Sequence, residues 1–86
     1  MKIHFKTKEP FFSKEEDGYK CCTVRSVGDG DMRFDDLMEI IQADDYGARK
    51  DVIVITDPNT GDSFERRITD VSYFDERFII SWQHKR

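Results

Sequence analysis

The sequence predicts an α+β fold: one helix packed on a mostly antiparallel sheet of five to six strands, in the order ββαβββ(β). Three observations point there. Ile, Val and Thr supply 18 of the 86 residues, whereas Leu occurs once (Leu37) and Ala twice (Ala43, Ala48). Branching at Cβ suits a pleated, half-buried sheet and is mildly unfavourable in a helix. Only one stretch carries helical periodicity, and tight-turn signals separate several short β-rich runs.

Ile3 and Phe5 alternate with Lys2, His4 and Lys6, the period-two pattern of a strand over residues 2–7. Residues 8–18, with Pro10, the acids Glu15, Glu16 and Asp17, and Gly18, read as a loop whose Phe11 and Phe12 fold back on the core. Residues 19–27 are a second strand, ended by Gly28-Asp29-Gly30-Asp31. Phe34, Leu37, Met38 and Ile41 stand at i, i+3, i+4 and i+7, one face of a helix over residues 34–43. Asp31, Asp35 and Asp36 near its start suit the free amides and positive dipole end, and the cap is left open among them. Gly47 fits the chain reversal beyond it.

The apolar run Val52–Ile55 predicts a central third strand covered on both faces. Asp57-Pro58-Asn59-Thr60-Gly61-Asp62 is a turn, because Pro presets φ and Gly accepts positive φ. Residues 63–69 return as a fourth strand, and residues 71–74, a turn at Asp75-Glu76 and residues 77–83 form a last hairpin. Phe78, Ile80 and Trp82 share one face of the final strand. Short connections favour a meander over parallel crossovers. Whether the sheet stays open or curls towards a small barrel is not decided by the pattern.

Length and composition bound the function. A chain of 86 residues is expected to form a single domain, residues 1–86, with one thin core and little room for a deep pocket. Cys21 and Cys22 are adjacent, so they form no disulfide scaffold, and a reducing, cytoplasmic setting is expected. No export signal or membrane-spanning run is visible. Metal spacing is absent: Cys21 and Cys22 would face opposite sides of a strand, and His4 and His84 lie near opposite ends. No cofactor or metal is expected, because Gly28-Asp29-Gly30-Asp31 lacks both the Lys of a phosphate loop and the ligand spacing of a calcium loop. A thiol enzyme would need Cys21 or Cys22 beside a histidine, and no nucleophile-turn motif is present, so the chain is read as a non-enzyme with no catalytic residue.

Charge is unevenly spread. Net charge is −4, yet residues 29–45 hold seven acids against one base, Arg33. Residues 9–17 are acidic as well, and residues 46–86 balance. An acidic helix surface flanked by acidic loops steers basic partners. The same pattern is also that of a solvated helix face with acids at its N-terminal end. The candidate partner-binding residues are Asp31, Asp35, Asp36, Glu39, Asp44 and Asp45, on a non-enzymatic protein-interaction module acting as inhibitor or adaptor.

The alternative is single-stranded nucleic-acid binding through Arg66, Arg67, Arg77, Lys85 and Arg86 interleaved with Phe64, Tyr73, Phe74 and Trp82. A net negative charge argues against general phosphate binding, so nucleic acid is not the expected partner. A homodimer through an edge strand is a further expectation, since a short sheet leaves edges open.

The helix with Asp35-Asp36-Leu37-Met38-Glu39-Ile40-Ile41, followed by Asp44-Asp45-Tyr46-Gly47-Ala48, the strand Val52–Ile55, a Gly-containing turn and Ile68-x-x-Val71, resembles small uncharacterised accessory proteins of phages and integrated mobile elements. The resemblance covers residues 34–74. It carries no common activity or site residue, and it implies a host- or phage-interacting accessory role.

Overall fold

A computed structural model describes residues 1–43 and 50–83. The element order is β1 (Lys2–Lys6), α1 (Phe11–Asp17), β2 (Cys22–Arg25), α2 (Met32–Gln42), β3 (Val52–Thr56), β4 (Ser63–Phe74) and β5 (Arg77–Trp82). The strands form one five-stranded mixed sheet, ordered β1-β3-β4-β5-β2. The α+β class holds, with helices on one side of a mostly antiparallel sheet.

The meander is confined to β3-β4-β5. β1 pairs parallel with β3, in register Ile3↔Ile53 and Phe5↔Ile55, and β2 pairs antiparallel with β5 at the other edge. The two N-terminal strands are not hairpin partners because α1 lies between them. This helix corrects the loop expected over residues 8–18. Glu9 accepts hydrogen bonds from the Ser13 backbone N–H (3.1 Å) and hydroxyl (2.6 Å), and Gly18 closes the helix at φ 91°. Its buried positions are Phe12 and Glu15, so the inward face shows only one apolar residue.

α2 starts two residues earlier than its apolar pattern, with Asp31 as N-cap accepting from the Arg33 N–H at 2.9 Å. Leu37 and Ile40 are its deepest residues, flanked by Phe34, Met38 and Ile41. Gly47 lies outside the described residues.

Register places Ile3, Phe5, Ile53, Ile55, Phe64, Phe78, Ile80 and Trp82 on one face of the sheet. Both helices cover that face: Phe12 of α1 meets Phe64 edge-on at 5.4 Å, and Phe34 of α2 meets Phe78 at 5.5 Å. β3 is interior, as its apolar run predicts, but its second face carries no helix among the described residues. There Val54 is buried, and a Lys2–Glu65 ion pair of 3.1 Å spans the strand.

β4 replaces the two strands expected over residues 63–69 and 71–74. Its first half pairs with β3 and its second half with β5, with a register shift between Ile68 and Asp70. An extra residue of this kind bends a strand and increases its twist. It also lets Ile68 and Val71 both reach the core at a spacing of three.

The two sheet edges approach one another without closing. Thr7 N–H donates to Thr56 O and Val52 N–H to Met1 O, so the odd residues of β1 pair with β3. The carbonyls of Lys2, His4 and Lys6 therefore point away from the sheet. Arg25, on the opposite edge strand, donates from Nη1 to Lys6 O at 2.8 Å and from Nη2 to Thr7 Oγ1, while its Nε holds Thr23 Oγ1 at 2.9 Å. Arg33 donates to His4 O at 2.9 Å. Both guanidiniums rest on Phe5, 5.1 and 4.6 Å from the ring centre.

The Asp57 turn forms as expected: its carboxylate accepts from Asn59 N–H at 2.8 Å, and Gly61 adopts φ 81°. The β4–β5 turn is more demanding, since Asp75 and Glu76 sit at φ 55° and 60°. Positive φ at both central residues matches the right-handed strand twist but crowds a Cβ.

Glu76→Gly is therefore expected to stabilise the fold by about 1 kcal/mol, seen as a higher urea midpoint. Arg25→Ala is expected to destabilise it by about 2 kcal/mol, because the bonds bridging the edges vanish and leave the buried Thr7 and Thr23 hydroxyls without this donor; urea unfolding measures this too.

Candidate functional site

The acidic residues singled out by charge pattern separate into different roles. Asp31 is committed internally. Besides capping α2 it holds Arg33 by a fork, Nε to Oδ1 at 3.1 Å and Nη2 to Oδ2 at 2.6 Å. The Arg33 side-chain and backbone hydrogen bonds lower its pKa to about 2, and the same pairing raises that of Arg33. Asp35 and Glu39 are exposed on the outer face of α2, and Asp36 is half-buried. Asp44 and Asp45 lie outside the described residues.

Two grooves flank the segment that follows β2, meeting at Ser26. The first has a volume of about 470 Å³ and an aromatic floor, where Phe34 and Tyr73 meet edge-to-face at 6.1 Å. Its rim carries three carboxylates: Asp29 from the loop before α2, and Asp75 and Glu76 from the strained turn. Arg77 also lines it, 3.8 Å from Asp75. Chain pattern marked Asp75 and Glu76 only as turn residues. They stand 46 and 47 positions from Asp29, so no local motif joins them.

The second groove, about 560 Å³, is the seam between the sheet edges and is lined by His4, Lys6, Arg25 and Arg33 beside Phe5. Arg25 is half-buried. Desolvation lowers its pKa, the Glu15 carboxylate acts against that, and the neighbouring Arg33 charge adds to it. Glu15 is almost wholly buried; its Oε2 lies 3.4 Å from Lys20 Nζ, and its Oε1 has no hydrogen-bond partner.

The residues proposed for base stacking are dispersed. Phe64 and Trp82 are core residues, which removes them as platforms. Arg66 lies over Phe64 at 4.7 Å and donates to Glu16 O and Glu65 O, both at 2.8 Å. Phe74 is 75% exposed and Tyr73 42%. Lys85 and Arg86 lie outside the described residues.

Both cysteines are free; the Cys21 thiol donates to Gly18 O at 3.5 Å and Cys22 is exposed. Cys22 and His4 belong to the two opposite edge strands, and His84 is outside the described residues. No group of three His, Cys, Asp or Glu among the described residues is placed to hold a metal ion, and no described helix is long and apolar enough to cross a membrane. No protein-family model, curated protein or solved structure matches this chain.

Since the pKa of Asp31 is depressed on folding, its contribution to stability is complete above the ordinary 3.8 and is lost as pH falls towards about 2. Urea midpoints measured between about pH 5 and pH 2 should therefore fall more steeply for the wild type than for Asp31→Asn, which keeps a capping oxygen but no charge.

Proposed function

We propose that this chain is a small protein-interaction module, an inhibitor or adaptor, that takes a basic segment of a partner protein at the end of the molecule formed by α2 and the β4–β5 turn. The observation that carries the reading is the first groove, an aromatic floor beneath an acidic rim. A lysine or arginine side chain laid over Phe34 and Tyr73 meets a ring face and carboxylates together, a pairing worth about 0.5–1 kcal/mol from the ring alone at an exposed site. Asp35 and Glu39 are exposed one residue and five residues beyond Phe34 along the helix. They extend the negative field outward, and such a field speeds encounter with a basic partner.

Asp36 belongs to the same surface at its edge, and Asp44 and Asp45 continue the acidic run in sequence. Asp31 is excluded from the contact set because its carboxylate is held by Arg33. The resemblance over residues 34–74 favours a host or phage protein as partner. The two free thiols, one exposed, support a reducing compartment, and we assign the chain to the cytoplasm.

Affinity capture compares wild-type bait with two charge-reversed baits, Asp29→Lys/Asp75→Lys/Glu76→Lys and Asp35→Lys/Glu39→Lys. A partner retained by wild type at low salt should be lost from the groove variant, weakened about fivefold by the helix variant, and released as salt rises. Equal retention by all three baits would remove this surface as the contact.

A further inference from the structure

The geometry points to the seam between β1 and β2 as a binding site for a small phosphate-bearing ligand. In a chain of net charge −4, this groove reverses the sign: it is lined by Arg25, Arg33 and Lys6 with His4, and no carboxylate lines it among the described residues. The nearest acids stand behind the site without lining it: Asp31 forks onto Arg33 itself, and Glu15, paired with Lys20, acts on Arg25 from outside the groove.

The two guanidiniums are already fixed. Each rests on Phe5, and each is tied to an outward carbonyl of β1. A guanidinium carries five N–H donors. The bonds of Arg25 engage Nε and one N–H on each terminal nitrogen, and those of Arg33 do the same. Among the described residues, each therefore keeps a second N–H on Nη1 and on Nη2. With Ser26 also lining the groove, these donors outnumber what the two oxygens of a carboxylate accept. They suit the three terminal oxygens of a phosphate monoester.

The donors are preorganised. Both guanidiniums are held side by side by their bonds to β1 carbonyls and by the Phe5 ring, so an anion meets N–H groups already in place. A volume of about 560 Å³ lies in the range of small-ligand pockets rather than of a strand-tracking channel. The Phe5 ring, occupied by both guanidiniums, offers no free face for a base, which favours a compact ester over a polynucleotide.

The test is a titration of the full chain, followed by ¹H–¹⁵N spectra that include the arginine Nε–H signals. The probes are inorganic phosphate, a nucleoside 5′-monophosphate and a single-stranded oligonucleotide, with chloride at matched ionic strength as control. Saturable shifts at Arg25, Arg33 and Ser26 are expected with phosphate and with the mononucleotide, and none with chloride. Arg33→Gln should weaken binding about tenfold, and Lys6→Gln, which changes an exposed side chain and leaves the carbonyl bonded to Arg25 in place, about threefold. Shifts that do not saturate, that chloride reproduces, or that spread equally over Lys14, Lys20 and Arg77 would overturn the site. An oligonucleotide that binds far more tightly than the mononucleotide, through those same scattered cations, would overturn its restriction to small esters. None of these outcomes depends on the acidic groove or on any protein partner.

Discussion

The reach of Arg25 from one sheet edge to the other is the contact on which the shape of this domain depends. Five strands bent at the β4 bulge leave two edges facing across a gap too wide for backbone pairing. Arg25 fills it with a side chain instead, bonded to Lys6 O and Thr7 Oγ1 on one side and Thr23 Oγ1 on the other. Burying a cation carries a desolvation cost, visible in its lowered pKa, and the carbonyl and hydroxyl acceptors together with the Phe5 ring offset it. With the edges tied, the sheet presents a concave face that α1 and α2 can fill. A chain of this length needs that economy of surface.

The same tie organises charge. The short segment from Arg25 to Gly28 separates a cationic seam from an acidic, aromatic-floored groove, so potentials of opposite sign stand back to back. Arg33 and Asp31 sit at the boundary and neutralise each other, which keeps the two fields distinct. A total of −4 conceals this arrangement completely. The exposed helix acids extend one field and Lys6 the other.

Local signals in the chain were legible where local chemistry decides the outcome. The apolar spacing from Phe34 to Ile41, the alternation of Phe78, Ile80 and Trp82, and the Asp57–Asp62 turn all correspond to what forms. α1 escaped because its second buried position is Glu15, a carboxylate that a hydrophobic periodicity does not count. β4 looked broken at Asp70 because a bulge shifts the inward phase from Ile68 to Val71. The parallel β1–β3 pairing joins residues about 50 positions apart, and no turn motif announces such a pairing. Of the site, the acids of α2 were readable as a cluster, but the role of Asp31 was not, since a cap and a contact residue look alike in sequence. Arg25 and Arg33 carry no pattern at all: what matters is the carbonyls they reach, 19 and 29 residues away.

The capped carbonyls of β1 also govern how copies of this chain can associate. An edge strand is a template for further strands, and a sheet with two dissimilar open edges can add copies head to tail without end. Here Arg25 and Arg33 occupy the acceptors of His4 and Lys6 on the β1 edge. Trp82 N–H bonds Cys21 O, so the unpaired backbone groups of β2 are those of Cys22 and Val24. With these two acceptors occupied, β1 offers a further strand fewer free partners than β2 does. Two arginines that hold a sheet in shape thus also make its two edges unequal as templates for another strand.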